Sequence, residues 1–232
     1  MDYNEYQYLW PPRPEQKIPQ AMLTFQEKQG YWAQKKKNGT CTVIFAKGNE
    51  VIFKTRHNDI DNGDHRMWSP TPEHTRFFQG SKKWNVYVAE LLHSKVSGGP
   101  KNQLYIFDKI VDEGVHLVGS TFADRQLLLA SQWEPVADEG DQTRVHDYVS
   151  VATNYTGDFA KLFLELKPED EGLVLKNPKA VLRACMKADS NKGWQVKCRI
   201  PTKNYSFVFA LCINIILAKV ILCQGLSTFG MI

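Results

Sequence analysis

A chain of 232 residues that is 43% hydrophobic and 23% charged has the composition of an ordinary soluble globular domain. Its net charge of +4 does not demand a nucleic-acid partner, but permits one where lysines and arginines gather on one face. The five scattered cysteines (Cys41, Cys185, Cys198, Cys212 and Cys223) include no Cys-x-x-Cys pair, which speaks against a zinc site and a disulfide framework, and with a polar, acidic start they predict a cytoplasmic protein.

Residues 1–20 carry Trp10, Pro11, Pro12, Pro14 and Pro19 and read as an extended lead-in. Residues 21–28 suit a short helix. Residues 31–36 suit a strand that turns at Asn38-Gly39, the strongest short hairpin signal, and returns along 40–45. A second turn at Lys47-Gly48 leads to a strand over 51–56, so the three form an antiparallel meander. Residues 57–72 are polar and read as a loop. Strands follow at 84–92 and 103–108, with Gly98-Gly99-Pro100 between them. Helical spacing appears at 124–133 and at 158–166, where Phe159, Leu162, Phe163 and Leu166 share a face. Short strands at 173–176 and 194–199 complete an α+β pattern with mostly antiparallel sheet. The tail from 207 is different. Residues 207–223 are apolar except for Cys212, Asn214 and Lys219. Seventeen residues is short for a membrane span and a central lysine is costly there, so a buried or partner-facing helix is favoured, with a cloning or frameshift scar as the third reading.

Certain residues recur in an order that chemistry explains. Lys36-Lys37-Asn38-Gly39 comes first, then Arg56, Glu90, Phe107, Glu171-Gly172-Leu173-Val174-Leu175-Lys176, and finally Lys197-Cys198-Arg199. Alone, the first is a basic hairpin tip, and Phe107 alone is more readily a core residue. Strand alternation puts Lys36 on the face of Gln34 and Trp32, with Lys35 and Lys37 on the other. The flanking lysines then either depress the Lys36 pKa or sit in solvent. Lys197 and Arg199 also point to one side.

Taken together, the ordered set resembles the nucleotidyltransferase domain of ATP-dependent DNA and RNA ligases, a superfamily that includes the mRNA capping enzymes. The resemblance spans about 31–203. It implies an antiparallel-sheet nucleotidyltransferase (ATP-grasp-like adenylation) domain with flanking helices over 31–206, preceded by a lead-in over 1–30 and followed by the apolar tail over 207–232. It implies that Lys36 is the catalytic amine that takes AMP from ATP. Arg56 would bind the ribose and phosphate, or the nucleic-acid end. Glu90 would accept from a ribose hydroxyl or hold a metal-bound water. Phe107 would stack on the adenine. Glu171 would bind Mg²⁺ or its waters, Lys176 would approach the phosphates, and Lys197 and Arg199 would neutralise the α-phosphate.

In DNA ligases an arginine typically sits just after the lysine motif; here that place holds Cys41. Arg56 and the Leu-Val-Leu-Lys segment lean towards the RNA ligases related to phage RNA ligase 2. Arg199 stands where the family has a second lysine, and Asn38 where it has aspartate or histidine. About thirty residues follow Arg199, too few for an OB barrel. The expectation is a polynucleotide ligase acting on RNA or nicked duplex, with ATP and Mg²⁺ as cofactors and no protein partner. Lys82, Lys83, Lys95 and Lys101 either track a nucleic-acid backbone or form a solvated face. The rivals are a GTP-using capping guanylyltransferase, a non-catalytic nucleic-acid-binding relative, and a membrane-tethered form.

Overall fold

Thr40–Lys47 alternates its apolar side chains to both faces, and Val43, Ile44 and Phe45 are all buried, so this strand must lie inside a sheet covered on both sides. The computed structural model describes residues 16–55, 71–92, 100–184 and 193–201. Two sheets carry the fold. In chain order the strands are β1 (Gln16–Lys17), β2 (Trp32–Lys37), β3 (Thr40–Lys47), β4 (Glu50–Thr55), β5 (Asn85–Leu92), β6 (Gln103–Asp112), β7 (Val115–His116), β8 (Ala137–Asp138), β9 (Gln142–His146), β10 (Val149–Ala152), β11 (Asp170–Lys176) and β12 (Gln195–Arg199). The helices are α1 (Leu23–Lys28), α2 (Pro72–Phe77), α3 (Phe122–Ala130) and α4 (Phe159–Leu164).

The larger sheet runs β4-β3-β5-β6-β10-β9-β8, with β7 paired to β6. The smaller runs β1-β12-β11-β2. Pairing is antiparallel except for β10 with β6 and β1 with β12. The α+β class with mostly antiparallel sheet is therefore the observed one.

Both faces of the larger sheet are covered. Ile44, Tyr87, Ala89 and Ile106 meet Phe78 and Leu129 on one side, and Val43, Phe45, Val88 and Ile110 meet Leu117 and Leu182 on the other. One face of the smaller sheet carries Ala33, Leu173, Leu175, Val196 and Cys198, which close over Leu23 of α1 and Phe159, Leu162 and Phe163 of α4. Each leucine, valine or phenylalanine buried there contributes about 1.5–3 kcal/mol. Its opposite face turns towards the larger sheet. There Trp32 meets Phe122 edge to face, and Gln34 bonds to Gln126 and Asn154.

One expectation fails. β2 and β3 are not a hairpin. β2 pairs with β11 in the smaller sheet, while β3 pairs with β4 and β5 in the larger. Asn38-Gly39 is the point where the chain changes sheets. The Asn38 N–H goes to the Glu169 carbonyl beside β11, at 3.2 Å. A Cβ on Gly39 would sit 2.1 Å from the Leu91 carbonyl oxygen, so only glycine lets the chain cross this close to β5. The expected β3–β4 hairpin is present.

The loop expected over 57–72 falls mostly outside the described residues. Its end starts α2, where Thr71 caps the helix and Pro72 occupies the first turn. Arg56, Lys95 and the 207–232 tail also lie outside the described residues. Among the described residues, no helix is long and apolar enough to cross a membrane.

Candidate active site

The inner face of the smaller sheet is ordered in rows. Lys36, Gly172 and Arg199 are cross-strand neighbours; the next row is Gln34, Val174 and Lys197; the third is Trp32, Lys176 and Gln195. Paired residues in a sheet share a face, so Lys36, Lys176, Lys197 and Arg199 all arise on one side.

A bulge between Asp170 and Gly172 puts Glu171 out of strict register. Its Oε2 accepts from Lys36 Nζ at 2.5 Å and from Arg199 Nη2 at 2.9 Å. Gly172 makes this possible. Its φ is +145°, and a Cβ there would lie 2.0 Å from the Cys198 carbonyl oxygen. Lys36 and Glu171 are partly exposed, at 19% and 26% of the side chain, so the pair can be reached from solvent.

The alternation expected of β2 holds, and with it comes a correction. Lys35 and Lys37 point away from Lys36, but neither sits in solvent. Lys37 pairs with Asp170 at 2.8 Å and Asp141 at 3.1 Å; Lys35 approaches the same two at 3.7 and 3.5 Å. Burial works against the Lys37 charge, yet the Asp170 and Asp141 carboxylates outweigh it and raise the pKa. The flanking lysines are thus neutralised locally, on the far face from the Lys36 amine.

The larger sheet supplies the second half. Val88 pairs with Asp108 and Ala89 with Ile106, so Phe107 is the extra residue of a bulge in β6. Bulges re-aim a side chain, and this one sends the ring towards β11. Lys176 Nζ lies 4.9 Å from the Phe107 ring centre and 4.7 Å from that of Phe122. Its pKa is pushed down to about 8, first by burial, with Arg125 acting the same way and Asp108 and Cys41 opposing. Behind the bulge, Asp108 takes a two-pronged grip from Arg125, at 2.9 and 3.0 Å, and both groups are buried.

Glu90, in register with Cys41, accepts the Gly39 N–H at 3.1 Å, which ties the end of the lysine motif to β5. Lys197 lies one row from Lys36 on the shared face. The structure thus brings Lys36, Glu171 and Arg199 into contact, and Phe107 and Lys176 into contact. It puts Glu90 at the crossing beside Gly39. Lys82 and Lys83 do not flank Lys36: they follow Ser81, whose carbonyl accepts from Gly48 at the other end of β3, about 25 Å along the strand.

Several residues had no sequence signal. Asp141, Gln126, Asn154 and Arg125 sit in unremarkable polar surroundings and become site neighbours only through folding. Gln34 was visible only as a face-mate of Lys36.

No protein-family model and no curated protein matches the sequence. Solved structures do match its fold. The ligase domain of M. tuberculosis LigD superposes with a TM-score of 0.56 at 16% identity, over 84% of this chain and 60% of that one. A mycobacterial DNA ligase D complexed with ATP and MES gives 0.52 at 17%, over 81% and 60%. A structure designated Pmar-Lig_PreS3 gives 0.50 at 15%, over 82% and 46%. The chain therefore spans three fifths or less of the length of these solved chains. At such identities the likeness establishes the fold, which is that of ligase nucleotidyltransferase domains.

Proposed function

We propose that this chain is an ATP-dependent polynucleotide ligase that carries AMP on Lys36. The observation that carries the reading is the contact of the Lys36 amine with Glu171, on a carboxylate shared with Arg199 and in the row next to Lys197. An amine that must attack phosphorus needs a proton acceptor nearby, and the phosphate it attacks needs cations nearby. This arrangement offers both.

In the first step the lone pair of Lys36 Nζ forms a bond to the α-phosphorus of ATP. The bond to the bridging oxygen breaks, pyrophosphate leaves with that electron pair, and the amine gives up its proton to the Glu171 carboxylate in contact with it. Lys197 and Arg199 neutralise the phosphate oxygens, and Phe107 stacks on the adenine. The AMP then passes to a 5′-phosphate, forming a phosphoanhydride and freeing Lys36. A 3′-hydroxyl attacks that phosphate and expels AMP. Positioning and charge neutralisation supply most of the catalysis in each step.

Mg²⁺ prefers one or two carboxylates together with water and substrate phosphate, so it needs no cage of protein ligands. Among the described residues no group of three or more metal-ligating side chains occurs, and the partly exposed Glu171 carboxylate fits this habit. Mg²⁺ there would offset charge on the phosphates.

The substrate is an RNA or DNA end. The lean towards RNA rests on Leu173-Val174-Leu175-Lys176 and on Arg56, while the solved relatives by fold are DNA ligases. Incubation with α-labelled ATP or GTP and Mg²⁺, then denaturing electrophoresis, tests the reading. Label retained from ATP and lost in Lys36→Ala is expected. Label from GTP alone points to a guanylyltransferase, and no label points to a non-catalytic nucleic-acid-binding protein. Nicked DNA and nicked RNA duplexes then separate the two ligase substrates.

A further inference from the structure

Gln126 of α3 is buried, and its single amide joins the two sheets. Its Nε2 donates to the Phe107 carbonyl at 3.2 Å. Its Oε1 accepts from Gln34 Nε2 at 3.2 Å and from Asn154 Nδ2 at 3.0 Å. Gln34 Nε2 also donates to Asn154 Oδ1 at 2.9 Å, which closes a triangle of three amides. A backbone carbonyl can only accept, so Phe107 dictates which end of Gln126 carries the hydrogens. The orientations of Gln34 and Asn154 follow from that one choice.

The placement of the partners gives the network a consequence. Gln34 is two residues before Lys36 on the same face of β2, and is only 2% exposed. Phe107 is the bulged residue of β6. The residue before Gln126, Arg125, grips Asp108, the residue after Phe107, so consecutive α3 side chains hold consecutive residues of the bulge. The amine of the smaller sheet and the ring of the larger one are therefore referenced to each other through Gln126.

We propose that Gln126 is a positioning residue that sets the distance between the strand bearing Lys36 and the bulge bearing Phe107. The proposal rests on the nucleotidyl-transfer reading for its functional consequence. A nucleotide held by its base on Phe107 presents its α-phosphate to Lys36 only while the two sheets keep their spacing. A loss of that spacing lowers the rate of attack more than it weakens binding, because the base still has its ring.

The variant to make is Gln126→Leu, which keeps the volume and removes the hydrogen bonds. Single-turnover labelling by ATP is expected to slow about tenfold or more at saturating nucleotide, with half-saturation changed less than about threefold. Phe107→Ala is expected to do the reverse, raising half-saturation. In the Phe107→Ala background, Gln126→Leu is expected to cost far less than it does alone, since the ring it positions is gone. Hydrogen exchange gives a second readout that needs no activity. Amides of β2 and β6 should exchange faster together in Gln126→Leu, while those of β4 stay as they were. Exchange changes confined to α3, or an unaltered maximal rate in a labelled enzyme, overturn the proposal. A wild-type protein that takes no label overturns the functional reading instead, and the exchange experiment still decides the role of Gln126.

Discussion

The Lys36 amine and the Arg199 guanidinium, from strands on either side of β11, meet on the same oxygen of Glu171. One carboxylate oxygen between two cations holds the amine in place and screens it from the guanidinium. Glu171→Gln keeps the shape and removes the charge. We expect lysyl-nucleotide formation to fall by about 10²-fold or more. Stability should change by less than about 1 kcal/mol, because the pair is partly exposed. Labelling and urea unfolding measure the two effects separately. Labelling within about threefold of wild type would remove Glu171 from the chemistry.

Gly172 allows that meeting. Gly172→Ala would drive a methyl into the Cys198 carbonyl and force alanine to a φ of +145°. Overpacking and backbone strain together should destabilise the protein by about 3 kcal/mol or more. Gly48→Ala is the control. Gly48 also has positive φ, at +58°, but a Cβ there meets nothing within 4 Å. About 1 kcal/mol is expected at that turn. Equal urea midpoints for the two variants would show that strand contact around Gly172 is not as tight as the geometry has it.

These glycines show what was legible in the sequence. Strands, their faces and the order of the charged residues follow from local alternation, so Lys36 and the Glu171 strand could be read directly. Partner choice is not local. Asn38-Gly39 carries the strongest short hairpin signal, yet β2 is drawn to β11, where Ala33, Leu173 and Leu175 share one core with Phe159. The signal described the bend correctly and its partner wrongly. α2 was missed: Thr71 before Pro72 is a helix-start signal, but it lies at the end of the polar run read as a loop. β9 has one apolar residue, Val145, among polar ones, too little alternation to mark a strand. Asp141 has no pattern at all; its role depends on folding that brings residues 35, 37, 141 and 170 together.

That buried group gives a third prediction. The Asp141 carboxylate takes Lys37 at 3.1 Å and Lys35 and Lys167 at 3.5 Å. Asp141→Asn leaves Lys35 and Lys37 to share Asp170 alone and should destabilise by about 3 kcal/mol. Lys37→Met with Asp141→Asn should be milder than the sum of the two single changes. The pH dependence has a definite sign. Burial pushes the Asp141 pKa up, but Lys37, Lys35 and Lys167 outweigh it and hold it below the usual 3.8. Its stabilisation is therefore complete above pH 3.8 and is lost as pH falls through the lower folded value. Acid titration of stability should be steeper in wild type than in Asp141→Asn.

Lys176 runs the other way. Lys176 is only 3% exposed, its amine lies beside two aromatic rings, and among the described residues its side-chain hydrogen bond goes to the Phe107 carbonyl at 3.5 Å. Burial pushes its pKa from the usual 10.5 down to about 8. Between those values the unfolded chain holds a proton that the native state has released, so stability rises with pH across the window. Below pH 8 the buried charge opposes folding by about 3 kcal/mol, less what the rings return. Lys176→Met fills the same space without charge and should stabilise the protein at pH 7 by about 1–2 kcal/mol. Above about pH 11 the gain should vanish, because wild type no longer carries the charge when unfolded. Urea unfolding at the two pH values measures this directly. If the same variant also loses nucleotidyl transfer by about tenfold or more, the lysine is held at a cost to stability for its charge beside Phe107. A variant that is both more stable and fully active would mark Lys176 as a packing residue, and would leave Lys197 and Arg199 as the cations that meet the phosphate.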